Sequence, residues 1–430
     1  MKTILKEIIT QILKLEASIV LRRYKPKIIV VAGSVGKTST KDAIFTAVSP
    51  FINSRKSDKS FNSEIGLPLT ILGLPNGWNS PVAWLKNLLE GLMLGFGGKV
   101  KYPELLILEV GTDRPGDMDK VSKWIKSNIA VLTRCPPIPV HVEFFKNPHD
   151  LNEEDKKIVK TLIKTGVMIL NADDEEIMNL KERNSHRVIT YGFNLDSNVK
   201  ASHEEIQYDE NQDPIGMNGK IHVGNLAVPF KIKSAIGRHH IYPLLAACAV
   251  AEELKLNMVE VIEKLSDYNP PKGRMKIIKG INDSNIIDDT YNSSPVALEE
   301  ALKTLGSIKT FGRKVAVLGD MLELGKFTIR EHKRLGSFLT EFVDVLVTIG
   351  QRAEDFALGA KEAHMRSTSI HAFTNVNEAI TYLSKHVKDE DIVLVKGSQG
   401  MRMERIVKVL MKEPEKAKEI LVRQEPQWIS

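Results

Sequence analysis

Cysteine is nearly absent: Cys135 and Cys248 are the only two in 430 residues. They match no metal-ligand spacing and build no disulfide framework, which points to a reducing, cytoplasmic compartment. No apolar run reaches the roughly 20 residues of a membrane span. Met1 to Tyr24 also lacks the separate apolar core and small-residue cleavage site of a secretion signal. Blocks of like charge are missing too, since 60 basic and 54 acidic residues are spread along the chain for a net charge of +6. That distribution argues against nucleic acid as a partner.

What remains is an ordinary globular composition, 42% hydrophobic and 27% charged, long enough for two or three domains. Residues 1–26 predict an amphipathic helix, with Ile4/Leu5, Ile8/Ile9 and Ile12/Leu13 at helical spacing between Lys2, Lys6, Glu7 and Lys14. Two readings fit it: a helix packed on the body of the protein, or a peripheral membrane contact helped by Arg22, Arg23, Lys25 and Lys27. The stretch WLKNLLEGLMLGF, residues 84–96, is amphipathic with the same ambiguity.

From Lys27 strands and helices alternate. KIIVVAG, ELLILEVG, NIAVLTR and VMILNADD are short β-rich runs separated by helical sequence, which predicts an α/β fold with a mostly parallel sheet covered on both faces. Residues 187–235 look different, with HRVITYGF and KIHVGNLAVPFKIKS flanking a polar stretch, and predict a small antiparallel insertion. After NPPKGRMK the alternation resumes through KVAVLGD, VDVLVTIG and DIVLVKGS. The expected division is therefore a helix at 1–26, a central P-loop-containing nucleotide-binding domain at 27–270 and a C-terminal Rossmann-like α/β domain at 271–430.

Chemistry is concentrated first in AGSVGKTST. Gly33, Ser34, Val35, Gly36, Lys37, Thr38 and Ser39 follow a strand and open a helix. Glycines let backbone N–H groups approach phosphate oxygens, the helix start favours negative charge, lysine reaches a terminal phosphate and threonine can bind Mg²⁺. The usual loop has four residues between its glycines; this one has two. Glu109 ends a strand, and His141 sits in the loop after another. Asp320 and Glu323 lie just beyond a third, where they serve either a ligand edge or helix capping.

The short loop resembles that of the Mur ligases and their folylpolyglutamate synthetase relatives, which join a carboxylate to an amine through an acyl phosphate. SFNSEIGLPLTIL (60–72), LEVGTDRPGDM (108–118), HVEFF (141–145), LNADD (170–174), GRHHIYPLLAA (237–247), GRMK (273–276), IDDTYNSSP (287–295), VAVLGDMLELG (315–325) and LVKGSQGMRME (394–404) are similar, in order, to motifs of the MurF branch. That branch adds D-alanyl-D-alanine to a UDP-linked muramoyl tripeptide. The resemblance implies ATP and Mg²⁺ as cofactors, these two small molecules as substrates, and a monomer. It implies catalytic roles for Lys37, Glu109 and His141, with Thr38, Glu109 and His141 holding Mg²⁺. It also implies nucleotide contacts from the loop, His240, Arg274, Asp288 and Asn292, with Tyr291 bordering the same site.

Three departures stand out. A lysine carbamylated in the family falls at Asp155, with Lys156 beside it, so either a carboxylate replaces the carbamate or the helix register differs by one. His240 and Pro243 stand where the family usually has asparagines. Residues 1–26 are too few to form the uridine-binding domain that precedes the loop in MurF enzymes. Two alternatives therefore remain open: a ligase for a lipid-linked, folate or polypeptide acceptor, and a non-catalytic ATP-binding partner of a cell-wall complex.

Overall fold

The computed structural model describes residues 2–58, 64–78, 80–98, 100–425 and 428, without the side chains of residues 2–6. The start of the SFNSEIGLPLTIL segment and the side chains of Lys2, Ile4, Leu5 and Lys6 thus lie outside the described residues. Two sheets organise the chain.

The first has nine strands in the order β2-β3-β1-β4-β5-β6-β7-β8-β9. They are β1 (Lys27–Ala32), β2 (Ser54–Lys56), β3 (Leu105–Glu109), β4 (Ser127–Leu132), β5 (Leu162–Asn171), β6 (Arg187–Gly192), β7 (Val199–Tyr208), β8 (Pro214–Val223) and β9 (Leu226–Lys233). Each neighbouring pair from β2 through β7 is parallel, and among the described residues the antiparallel pairs of this sheet are β7-β8 and β8-β9. The antiparallel segment expected within 187–235 is β7-β8-β9, which extends the same sheet, whereas HRVITYGF differs from the expectation in being the next parallel strand. Its apolar run reads the same in either setting, because pairing direction leaves no local signature.

Both faces are covered, which is why the inner strands are continuously apolar. Side chains alternate across β1: Ile29 and Val31 join a core with Ala43, Ile44 and Ala47 of α2 (Lys37–Val48). Ile28, Val30 and Ala32 join a second core. That second core contains Leu13, Ala17 and Val20 of α1 (Lys2–Tyr24) and Leu67, Leu69 and Ile71 of α3 (Gly66–Leu72). The first helix is therefore an integral part of the body, and it also packs along α4 (Pro81–Phe96).

The second sheet has six strands in the order β10-β11-β15-β12-β13-β14, parallel except for β10-β11. They are β10 (Lys276–Lys279), β11 (Asn285–Asp289), β12 (Lys314–Gly319), β13 (Val345–Ile349), β14 (Ile370–Phe373) and β15 (Ile392–Lys396). The C-terminal ends of β1, β3 and β4 face those of β11 and β15 across a cavity. In open α/β sheets that edge is the ligand edge.

One packing detail has a pH signature. Glu16 of α1 is 6% exposed beside Gly91 of α4, and its Oε2 lacks a hydrogen-bond partner. Burial pushes its carboxyl up from 4.5 to about 7. A carboxyl that binds its proton more tightly when folded loses stabilising effect as pH rises through that interval. Relative to Glu16→Gln, the wild type should lose on the order of 1–2 kcal/mol between about pH 5 and about pH 8, after allowance for solvent screening. A Tm difference between the two proteins that stays constant over that range would remove Glu16 as the cause.

Candidate active site

The cavity measures about 320 Å³ and is lined from both sheets. On one side lie Ser34 to Ser39, Glu109, Thr112, Arg134, His141 and Asp155. On the other lie Arg274, Asp289, Tyr291, Asn292, Glu300, Glu323, Lys396 and Ser398, with His239 between.

The loop after β1 turns at Gly33, whose φ is +123°, and a Cβ there would sit 2.4 Å from the Thr133 hydroxyl. Only glycine fits both demands. Gly36 caps α2 at φ +89° without a side-chain partner, so the backbone N–H groups at the helix start remain available to an anion. Lys37 folds over the loop, its Nζ donating to the Gly33 carbonyl at 2.6 Å. Thr38 Oγ1 donates to Glu109 Oε1 at 2.9 Å. The other Glu109 oxygen lacks a hydrogen bond and lies 3.4 Å from Lys41 Nζ, an ion pair buried beneath the loop. A hydroxyl beside a carboxylate is an oxygen pair of the kind Mg²⁺ takes, since the ion needs few protein ligands and completes its shell with water and phosphate oxygens. Among the described residues no group of three or more His, Cys, Asp or Glu is arranged as a metal cage.

His141 lines the same cavity in a left-handed backbone conformation, φ 68°. Its Nδ1 lies 2.7 Å from Glu323 Oε2, so it links the two halves of the cavity. Arg134 at the end of β4 approaches Glu300 at 4.0 Å from the same side. Asp320 turns away to accept the Ala353 N–H at 2.8 Å and works as a backbone cap, whereas Glu323 faces the cavity.

Of the two adjacent candidates, Asp155 is the one that faces the phosphate loop. Asp155 accepts the Ser34 hydroxyl at 3.0 Å, and burial raises its carboxyl pKa against the opposing charge of Lys37. Lys156 points elsewhere, to Glu153 at 2.9 Å and Glu176 at 2.6 Å. Burial opposes its charge, but the two carboxylates outweigh that and raise its pKa. An ammonium held this way is a poor substrate for carbamylation.

Two residues expected to contact the nucleotide, Asp288 and His240, do not line the cavity, whereas a neighbour of each does. Asp288 is fully buried behind the cavity, bonded to the Thr290 hydroxyl at 2.6 Å, and burial pushes it to about 6. Asp289 lines the cavity instead, because successive side chains of β11 point to opposite faces. His240 is likewise buried, with neither ring nitrogen in a hydrogen bond, and burial lowers its pKa. His239 is the histidine that faces in; desolvation pushes it down to about 4, so it is neutral at physiological pH. Arg274 and Asn292 do line the cavity, the Arg274 guanidinium stacking 4.4 Å over the Tyr291 ring. Arg134, Thr112, His239, Asp289, Glu300 and Ser398 were not foreseen. For Arg134 the signal was present, since it directly follows the buried run NIAVLT at a strand's C-terminal end.

Residues 31–251 match the family described as Mur ligase middle domain, and residues 273–399 match the Mur ligase, glutamate ligase domain. The chain belongs to the Mur ligase family. It is similar to a Bacillus subtilis protein named UDP-N-acetylmuramoyl-tripeptide--D-alanyl-D-alanine ligase, at 26% identity over 90% of this chain and 76% of the relative. The fold is shared with MurF from Acinetobacter baumannii, at TM-score 0.75 and 23% identity over 92% of this chain and 79% of that one. It is shared equally with MurF from Thermotoga maritima, solved with ADP, at TM-score 0.75 and 22% identity over 95% and 84%. Among the described residues no helix is long and apolar enough to cross a membrane.

Proposed function

We propose that this Mur-family chain is a cytoplasmic, monomeric ATP-dependent amide ligase that adds D-alanyl-D-alanine to a UDP-N-acetylmuramoyl tripeptide. In this reading a helix at 1–26 precedes an ATP-binding domain at 27–270 and a closing domain at 271–430. The observation that carries it is the phosphate loop of Gly33 to Thr38 facing Asn292, Arg274 and Lys396 across one cavity.

The acceptor carboxylate oxygen attacks the γ-phosphorus, the bond to the bridging β–γ oxygen breaks, and ADP leaves with an acyl phosphate in place. The donor amine then forms the bond to the acyl carbon, and phosphate departs with the amine's proton. Lys37 and the α2 N-terminus hold the transferring phosphoryl group where negative charge grows. Thr38 and Glu109, with His141 at the rim, would hold Mg²⁺, which supplies charge neutralisation between the phosphates. Ser34 and Asp155 fix the loop from below. Arg274 and Asn292 contact the nucleotide, while His239 and Asp289 take the places expected for His240 and Asp288. The His141–Glu323 and Arg134–Glu300 contacts join the two walls of the cavity, which would help to shield an acyl phosphate from water.

Purified protein with ATP, Mg²⁺ and both substrates should release phosphate and yield the pentapeptide product by mass spectrometry. Omission of either substrate should suppress the product. Phosphate release without any amide product overturns the ligase reading. Product with a different acceptor, and none with the muramoyl tripeptide, overturns the substrate assignment.

A further inference from the structure

Helix α4 is turned inside out. Its inward positions include Asn87, Gly91 and Gly95, all buried, while Val82, Leu85, Leu89, Leu92, Met93 and Phe96 face solvent at 49–77% exposure. These six recur at three- and four-residue spacing, so they form one continuous apolar stripe along the helix. Trp84, Leu88 and Leu94 pack against the body, so α4 has an apolar inner face as well as the apolar outer stripe, with Lys86 and Glu90 exposed beside that stripe.

The register is locked. A Cβ on Gly91 would sit 2.2 Å from Glu16 Oε2, one on Gly95 would sit 3.3 Å from Ile19, and Asn87 donates to the Pro75 carbonyl at 2.7 Å. Rotation cannot bury the stripe. Arg23 of α1 donates to the Gly95 carbonyl at 2.7 Å and the Gly97 carbonyl at 2.6 Å, so the two helices lie side by side. Ile8, Ile12 and Leu15 of α1 are exposed as well.

We propose that the outer face of α4, with the adjoining stripe of α1, is a docking surface for an anionic lipid bilayer. Charge selects this occupant: Arg22, Lys25, Lys27 and Lys101 are exposed on or beside the two helices, against Glu7 and Glu104, while Lys86 and Glu90 pair with each other at 3.7 Å. A stripe one helix wide with a basic border suits shallow immersion among headgroups. The 16 residues of α4 are too few to cross a bilayer, so the helix lies on it. The inference moves the main contact from residues 1–26 to α4, and it stands or falls independently of the ligase reading.

The test is flotation of the full chain on phosphatidylcholine vesicles with and without phosphatidylglycerol. The wild type should float with phosphatidylglycerol vesicles and lose binding in high salt. Leu89→Glu/Met93→Glu should lower partitioning at least about tenfold at unchanged Tm, since one large apolar side chain left unburied is worth about that factor. Three outcomes overturn the proposal. One is no flotation of the wild type; another is equal flotation of the variant, even if Ile8→Ser/Ile12→Ser abolishes binding. The third is a wild-type dimer by light scattering that Leu89→Glu/Met93→Glu converts to monomer, which would assign the face to a second copy.

Discussion

Lys37→Ala should lower substrate-dependent phosphate release on the order of 10³-fold while shifting Tm by no more than about 2 °C. The two halves of this expectation have separate causes. Lys37 is half-buried and its ammonium touches only backbone carbonyls of its own loop, those of Gly33 and Ser34. Its loss takes away the cation that offsets buried Asp155, but that carboxyl keeps the hydrogen bond from Ser34 and can hold a proton, so the cost to stability stays small. The turn itself is set by Gly33 and its close approach to Thr133, and it survives the substitution. What disappears is a positive charge poised where the γ-phosphate would develop negative charge. Lys37→Arg should not restore the rate, because a planar fork does not replace a compact ammonium in a tight loop. Lys41, four residues on, provides the contrast. It is 1% exposed and lies 3.4 Å from Glu109, so its removal acts through folding. Retention of more than a tenth of wild-type phosphate release by folded Lys37→Ala would show that the loop is not where ATP reacts.

The parts of this site that were legible in the sequence are those that local chemistry specifies. A strand, two glycines, a lysine and a threonine at fixed spacing admit few structures, and the loop appears where that spacing puts it. Glu109 was legible as a strand end, while its expected role and that of Arg274 came only from the family resemblance. Failures came where the answer depends on parity. Asp288 and Asp289, His239 and His240, and Asp155 and Lys156 are neighbours of similar polarity, and only the packing of β11, the turn before Ile241 and the helix after Pro148 decides which one faces inward. The same limit applies to α4, since periodicity reveals an apolar stripe but not that Gly91 and Gly95 force it outward. Long-range pairs such as His141 with Glu323 leave no trace in either segment, because each is a polar loop residue until the two sheets meet.

Lys396→Met should destabilise the protein by about 3–5 kcal/mol, the cost of leaving a buried charge without its partner. Lys396 ends β15 and is 2% exposed, directly paired in register with Asp289 at the end of β11. Its Nζ donates to Asp289 Oδ2 at 2.7 Å and to the Asn292 carbonyl at 2.9 Å. One ammonium therefore ties the adjacent strand ends to the loop that carries Asn292 and Ser293 along the cavity wall. Methionine keeps the length and apolar stem, so the change isolates the charge. In a unit of this size the loss corresponds to a fall in Tm of roughly 6–20 °C. Asp289→Asn placed on top of Lys396→Met should recover a large part of it, because the uncompensated carboxylate is then gone. Recovery of stability without recovery of phosphate release would separate the two duties of the lysine, holding the loop and presenting charge to the cavity. A Tm within about 2 °C of wild type for Lys396→Met alone would mean that water reaches Asp289 and that the pair is not the clasp its burial indicates.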